Sequence, residues 1–187
     1  MIIAGIDYSM NSPAICVYDT EDEFKFENLK IYNIGQLKSI VGTFGNVDIQ
    51  FHKEYESQEE RFRNTAEWGT KILLDNKVTS AVMEGYSMGS SSGLVFQIAE
   101  NTSLLKQAMQ LNGIEFETPS PTSVKKNFCG KGNAKKDAMV DYFFDVKFPS
   151  SNLDTLLDRP KRLSKPIDDV VDCVAVLMMH KHFKGLA

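Results

Sequence analysis

The sequence predicts an α/β domain built on a mixed sheet with helices on both faces. Three observations carry that expectation. Apolar stretches within the first 34 residues have the spacing of a three-strand antiparallel meander. From residue 58 onward, helical and strand patterns alternate, giving the order β-β-β-α-β-α-β-α-α and a five-stranded sheet, the meander plus two further strands. The chain has 187 residues, 42% of them hydrophobic and 25% charged, which suits one compact domain over residues 1–187.

Residues 2–7 and 13–18, IIAGID and PAICVY, are separated by Tyr8-Ser9-Met10-Asn11-Ser12 and read as a hairpin. Residues 24–34 give the third strand, after an acidic turn from Asp19 to Glu23. The pattern weakens between 35 and 57, read as an irregular insertion. Helical spacing returns over 58–76, where Ser57 and Glu60 have the relation of a capping box. A strand over 79–84 ends on Glu84 and runs into GYSMGSSSG, a loop of functional composition. A helix over 94–111 follows, with Leu94, Ile98, Leu105, Ala108 and Met109 on one side and Gly113 as its stop. A short strand at 115–118, a helix at 133–145, a Pro/Ser/charge-rich connection at 149–166 and a helix at 167–183 complete the chain.

Composition narrows the function. No apolar run approaches the roughly 18–20 residues that span a bilayer. The N-terminus has no basic segment before its first apolar run, so no secretory signal is expected. Cys16, Cys129 and Cys173 are odd in number and far apart, which fits neither a disulfide framework nor a zinc site and favours a reducing, cytoplasmic setting. The formal net charge is −4, but its distribution is uneven. Residues 121–136 carry five lysines and no acid, and residues 159–165 carry four basic residues and no acid. Such segments attract a polyanion locally, because screening limits each charge to about 10 Å. They read equally as two solvated loops.

The acids are placed more tellingly. Asp7 and Glu84 each end an apolar strand. Asp168 and Asp169 open the last helix, where the helix dipole alone explains them. Asp172 is different: it lies between Val170-Val171 and Cys173-Val174, an apolar setting in which an acid needs a partner. With no His/Cys cluster, a carboxylate set of this kind suits Mg²⁺ or Mn²⁺, and two such ions clamp the attacking and leaving oxygens of a phosphodiester. His180 and His182 read as cations at a helix C-terminus.

Four stretches, IIAGIDYSMNSPAICVYD, AVMEGYSMG, PTSVKKNFCGKGNAKKDAM and DDVVDCVAVLMMH, resemble the motif regions of the RuvC family of Holliday-junction resolvases, particularly its phage-type members. The resemblance implies a ribonuclease H-like fold and a homodimer acting in DNA recombination and repair, in the host-cell cytoplasm if phage-encoded. It implies an Mg²⁺-dependent hydrolase, with two ions per site and Mn²⁺ as a substitute, that nicks opposing strands of a four-way junction. Carried over, the catalytic and metal-binding residues are Asp7, Glu84, Asp169 and Asp172, with Asp168 adjacent. Lys131, Lys135 and Lys136 match the family's DNA-contacting GKGxAxK region, and Lys125 and Lys126 lie just upstream. Tyr86 and Met88 are candidates for the side chain near the junction centre, although the family position falls on Ser87 by counting. Connection 149–166 is longer than in cellular members, and its Arg159, Lys161, Arg162 and Lys165 suggest a DNA-contacting flap.

Other readings remain at this level. A nuclease of the same fold acting on flaps, replication intermediates or RNA–DNA hybrids would use the same acids. A non-catalytic branched-DNA-binding protein would keep the fold without the chemistry. A two-domain actin-like ATPase needs more chain than 187 residues.

Overall fold

The structure, a computed structural model, describes residues 1–86, 92–159 and 161–185. Its sheet has seven strands in the order β4-β5-β3-β2-β1-β6-β7. Strands β1 (Ile2–Asp7), β2 (Ala14–Asp19) and β3 (Lys30–Gly35) form the expected antiparallel meander. Strand β6 (Ser80–Met83) lies parallel to β1, and β7 (Glu115–Glu117) parallel to β6.

The two additional strands, β4 (Gly42–Phe44) and β5 (Val47–Phe51), fall in the segment expected to be irregular. They form a hairpin whose second strand pairs parallel to β3 and extends the sheet. Val47 and Ile49 point into the core while Asp48 and Gln50 bond outward, an alternation short enough to be masked by Gly42 and Gly45. The third strand is shorter than 24–34, because Phe26–Asn28 turn in a 3₁₀ helix that buries Phe26.

Helices cover both faces. On one, α1 (Gln58–Asp75) and α2 (Ser92–Leu111) pack Ile72, Leu73, Leu105 and Met109 onto Ile6, Ile15 and Met83. Ser57 caps α1 by accepting from the Glu60 N–H, as its spacing predicts. On the other face lie α3 (Pro121–Cys129), α4 (Lys136–Tyr142), the four-residue α5 (Leu153–Leu156) and α6 (Ile167–Leu177). The lysine-rich segment is thus largely helical: α3 ends at Gly130, which takes the left-handed conformation (φ +79°) that glycine adopts without cost. The helix expected over 133–145 starts at Lys136 and loosens into a π-helical turn over Phe143–Lys147.

Helix α6 is the most apolar of the set, and every residue from Ile167 to Leu177 except Asp172 is buried. It crosses β1 at Gly5, where even a Cβ would come within 2.2 Å of the Leu177 nitrogen and 2.5 Å of the Cys173 carbonyl. Glycine is required there by space alone. The helix stops at Leu177, so His180 is no helix-end cation: it turns inward, with Nε2 2.9 Å from Ser80 Oγ, and burial lowers its pKa. Among the described residues, no helix is long and apolar enough to cross a membrane.

Candidate active site

The parallel pairing of β1 and β6 places Ile6 opposite Met83, and the next residue of each strand is an acid. The Glu84 N–H donates to the Ile6 carbonyl at 3.0 Å, so Asp7 and Glu84 leave the sheet side by side at its carboxyl edge, where open α/β sheets bind their ligands. The Gly5 crossing lays α6 over the same edge. Asp169 and Asp172, three residues apart, then face the strand-end acids from above.

Electrostatics records the convergence. Burial raises the Asp7 pKa well above the ordinary carboxylate value, and the charges of Asp172, Glu84 and Asp169 raise it further. Burial and Asp172 push Glu84 up to about 7, against the opposing pull of Lys125 and Lys136. Asp169 and Asp172 are raised mainly by burial, with Lys165 and Ser12 opposing at the first and Lys136 at the second. Four carboxylates that each resist ionisation beside the others form a site short of positive charge.

Part of that charge comes from within the chain. Lys136 Nζ lies 2.7 Å from Asp168 Oδ2 and 3.3 Å from Asp172 Oδ2. Lys165 Nζ lies 3.1 Å from Asp168 Oδ2 and bonds Asp169 Oδ1 directly. The Ser12 hydroxyl donates to Asp169 Oδ2. Ser12 belongs to the loop after β1, and α1 holds that loop through Arg61, which donates to the Met10 carbonyl and to Asn11 Oδ1 (2.6 Å). Among the described residues, no three His, Cys, Asp or Glu side chains already stand as a closed metal cage. The donor set nevertheless fits hard divalent cations: it is all carboxylate oxygen, and burial raises all four acids, with neighbouring carboxylates, Asp168 included, adding to it.

A cleft of about 370 Å³ opens over the site, bordered by Asp7, Ser12, Gln36, Glu84, Tyr86 and Lys165 among others. Tyr86 is exposed on its rim, with Lys106 Nζ 4.7 Å from the ring centre. Met88 lies outside the described residues. Lys125 is close enough to lower the Glu84 pKa, while Lys126, Lys131 and Lys135 are exposed along α3 and the turn into α4. The 149–166 connection divides its cations. Lys161 is exposed, but Arg162 pairs with Asp145 at 2.8 Å and lies 4.5 Å over the Phe144 ring. Lys165 turns into the acid cluster. Ser12 and Arg61 carry no local sequence signal, because their partners lie 157 and about 50 residues away; Lys165, three and four residues before Asp168 and Asp169, is the one that spacing alone could have found.

No family model matches the chain. It is 30% identical over 110 residues to the crossover junction endodeoxyribonuclease RuvC of Brachyspira hyodysenteriae, a stretch covering 59% of this chain and 60% of that relative. Thermus thermophilus RuvC in complex with a Holliday junction substrate superimposes with a TM-score of 0.65 at 14% identity, over 100% of this chain and 96% of that one. This chain has the RuvC fold. The yeast mitochondrial Holliday junction resolvase Ydc2 shares it, with a TM-score of 0.60 at 16% identity over 98% of this chain and 78% of that one. The α/β architecture with a ribonuclease H-like mixed sheet is therefore as the sequence predicts, with the β4–β5 hairpin added to the five strands expected.

Proposed function

We propose that this protein is a divalent-metal-dependent, structure-selective DNA endonuclease that resolves four-way junctions by paired nicks. The observation that supports this most strongly is the convergence of Asp7 and Glu84, from adjacent parallel strands, with Asp169 and Asp172 of the helix crossing them. The 30% identity to RuvC of Brachyspira hyodysenteriae supports it independently. In this reading Asp7, Glu84, Asp169 and Asp172 hold two Mg²⁺ ions, for which Mn²⁺ substitutes. Bound there, such ions activate water and neutralise charge on the phosphate that is cut.

The chain's own groups do the rest. Ser12 fixes the rotamer of Asp169. Gly5 sets the height of α6 above β1. In this reading Lys125, whose charge reaches Glu84, and the exposed Lys126, Lys131 and Lys135 of α3 and the turn after it engage backbone phosphates, which positions a substrate without reading its sequence. Lys161, exposed on the 149–166 connection, is a further candidate for phosphate contact, Arg159 is half-buried, and Arg162 serves first to pin the connection to Asp145.

Paired nicks need two sites, and α2 offers the surface for a second copy. Phe96, Leu104 and Leu111 are 71%, 36% and 80% exposed and recur at helical spacing along one side of α2. Beside them a groove of about 1280 Å³ runs between α1 and α2, with Phe62, Ala66, Leu74 and Ala108 in its lining. A twofold homodimer through this face would cover it and present two acid sites.

The test is cleavage of a synthetic four-way junction beside duplex, flap and RNA–DNA hybrid controls, with Mg²⁺, Mn²⁺ or chelator, using wild type and Asp7→Asn. Junction cutting that needs metal and is lost in Asp7→Asn is expected. Cutting of flaps or hybrids alone would keep the chemistry and replace the substrate. Junction binding without cutting of any substrate would make this a binding protein.

A further inference from the structure

Asp168 has no place in the four-acid set, yet it is costly to bury. Its side chain is nine-tenths buried, and its Oδ1 atom meets no hydrogen-bond donor. Its charge raises the pKa of Asp169 and Asp172, its neighbours on the same helix. Its Oδ2 atom is where both lysines meet: Lys136 at 2.7 Å and Lys165 at 3.1 Å. Each lysine also pairs with one member of the four-acid set, Lys136 with Asp172 at a longer distance and Lys165 with Asp169 at a shorter one. The two side chains are 52% and 34% exposed, so both retain room to swing outward.

We propose that Asp168 is a docking acid for two resident counter-cations, Lys136 and Lys165, which neutralise Asp172 and Asp169 until divalent metal takes over and which Asp168 then retains beside the site. This rests on the metal-dependent reading above and deepens it. Asp168 adds a fifth negative charge and repels Asp169 and Asp172; the two ammonium groups it holds in place offset that repulsion. It also gives each lysine somewhere to go. An ammonium released from Asp169 or Asp172 without a second partner would have to leave the cleft or compete with the incoming ion. Asp168 and Lys165 are therefore positioning residues that act through Asp169, not metal ligands.

Calorimetric titration of the full chain with Mn²⁺ alone, without DNA, tests this. Lys165→Met removes a competitor and should tighten Mn²⁺ binding by roughly three- to tenfold, the weight of one partly exposed ion pair. Lys165→Arg keeps the charge and should restore wild-type affinity. Asp168→Asn strands both lysines on the metal-binding acids and should weaken binding by a similar factor. The decisive comparison is Asp168→Asn in the Lys165→Met background, where at least half of its effect should vanish because one lysine it docks is gone. Strict additivity would mean that the two charges act independently, and would overturn the proposal. So would loss of all binding in Asp168→Asn in both backgrounds, which would make Asp168 a ligand, or weaker binding in Lys165→Met. Wild type that binds no Mn²⁺ would end this proposal and the metal-dependent reading together. Wild type that binds Mn²⁺ with the expected pattern but cuts no DNA would end the nuclease reading alone. Melting in chelator checks that each variant is folded.

Discussion

Glu84 and Ser12 make the sharpest claims at the scale of single residues. Glu84 is pushed from an ordinary value of 4.5 up to about 7 by burial and by Asp172. Between those two values the folded chain holds its proton more tightly than the unfolded chain does. Without metal, the contribution of Glu84 to stability is therefore full below about pH 4.5 and is lost as pH rises towards 7, the direction that linkage requires for a raised carboxylate. Melting temperature against pH in chelator should show this decline, and Glu84→Gln should flatten it; Mn²⁺ should oppose it by binding the ionised acids. Ser12 is buried, and its hydroxyl serves Asp169. Ser12→Ala leaves a buried carboxylate oxygen without its donor and should cost about 1–3 kcal/mol, a fall of roughly 2–10 °C in the chelator melting point.

At the scale of elements the account turns on α6 crossing β1. Gly5→Ala sets a methyl group against backbone atoms of Leu177 and Cys173, which no side-chain rotation relieves. It should destabilise by about 3 kcal/mol or more, measured by denaturant unfolding, and lift Asp169 and Asp172 from the strand ends so that Mn²⁺ affinity falls too. Much of this element was legible in the sequence. Asp172 stands out because it interrupts an apolar helical run, and Asp7 and Glu84 because each terminates an apolar strand. Other parts were not. The β4–β5 hairpin is short and broken by two glycines, so its alternation at Val47 and Ile49 gives only a weak strand signal. The partner of Arg162 depends on how the 149–166 connection folds back onto Asp145, 17 residues earlier, which no local pattern encodes; Lys165 meets Asp168 and Asp169 at local spacing.

For the whole molecule, charge and symmetry decide. The nine basic residues of 121–136 and 159–165 sit on a chain whose remaining charge is strongly negative. If the exposed members of these segments, Lys126, Lys131, Lys135 and Lys161, engage phosphates as proposed, junction affinity should fall with salt through counterion release. Lys126→Glu with Lys131→Glu should weaken junction binding at low salt while leaving Mn²⁺ affinity unchanged, which separates the substrate track from the metal-binding acids. The exposed apolar side of α2 bears on assembly. Phe96→Glu with Leu104→Glu should convert a dimer to a monomer in sedimentation equilibrium, and the monomer should lose the pairing of nicks before it loses phosphodiester cleavage. The central claim, that two copies of this acid site cut a junction symmetrically, is tested most directly by mapping nicks on a four-way junction labelled in turn on each of its four strands. The account predicts Mg²⁺-dependent nicks at symmetry-related positions on one opposing pair of strands. Cuts confined to one strand, cuts scattered through the duplex arms, or cutting that persists in chelator would contradict it.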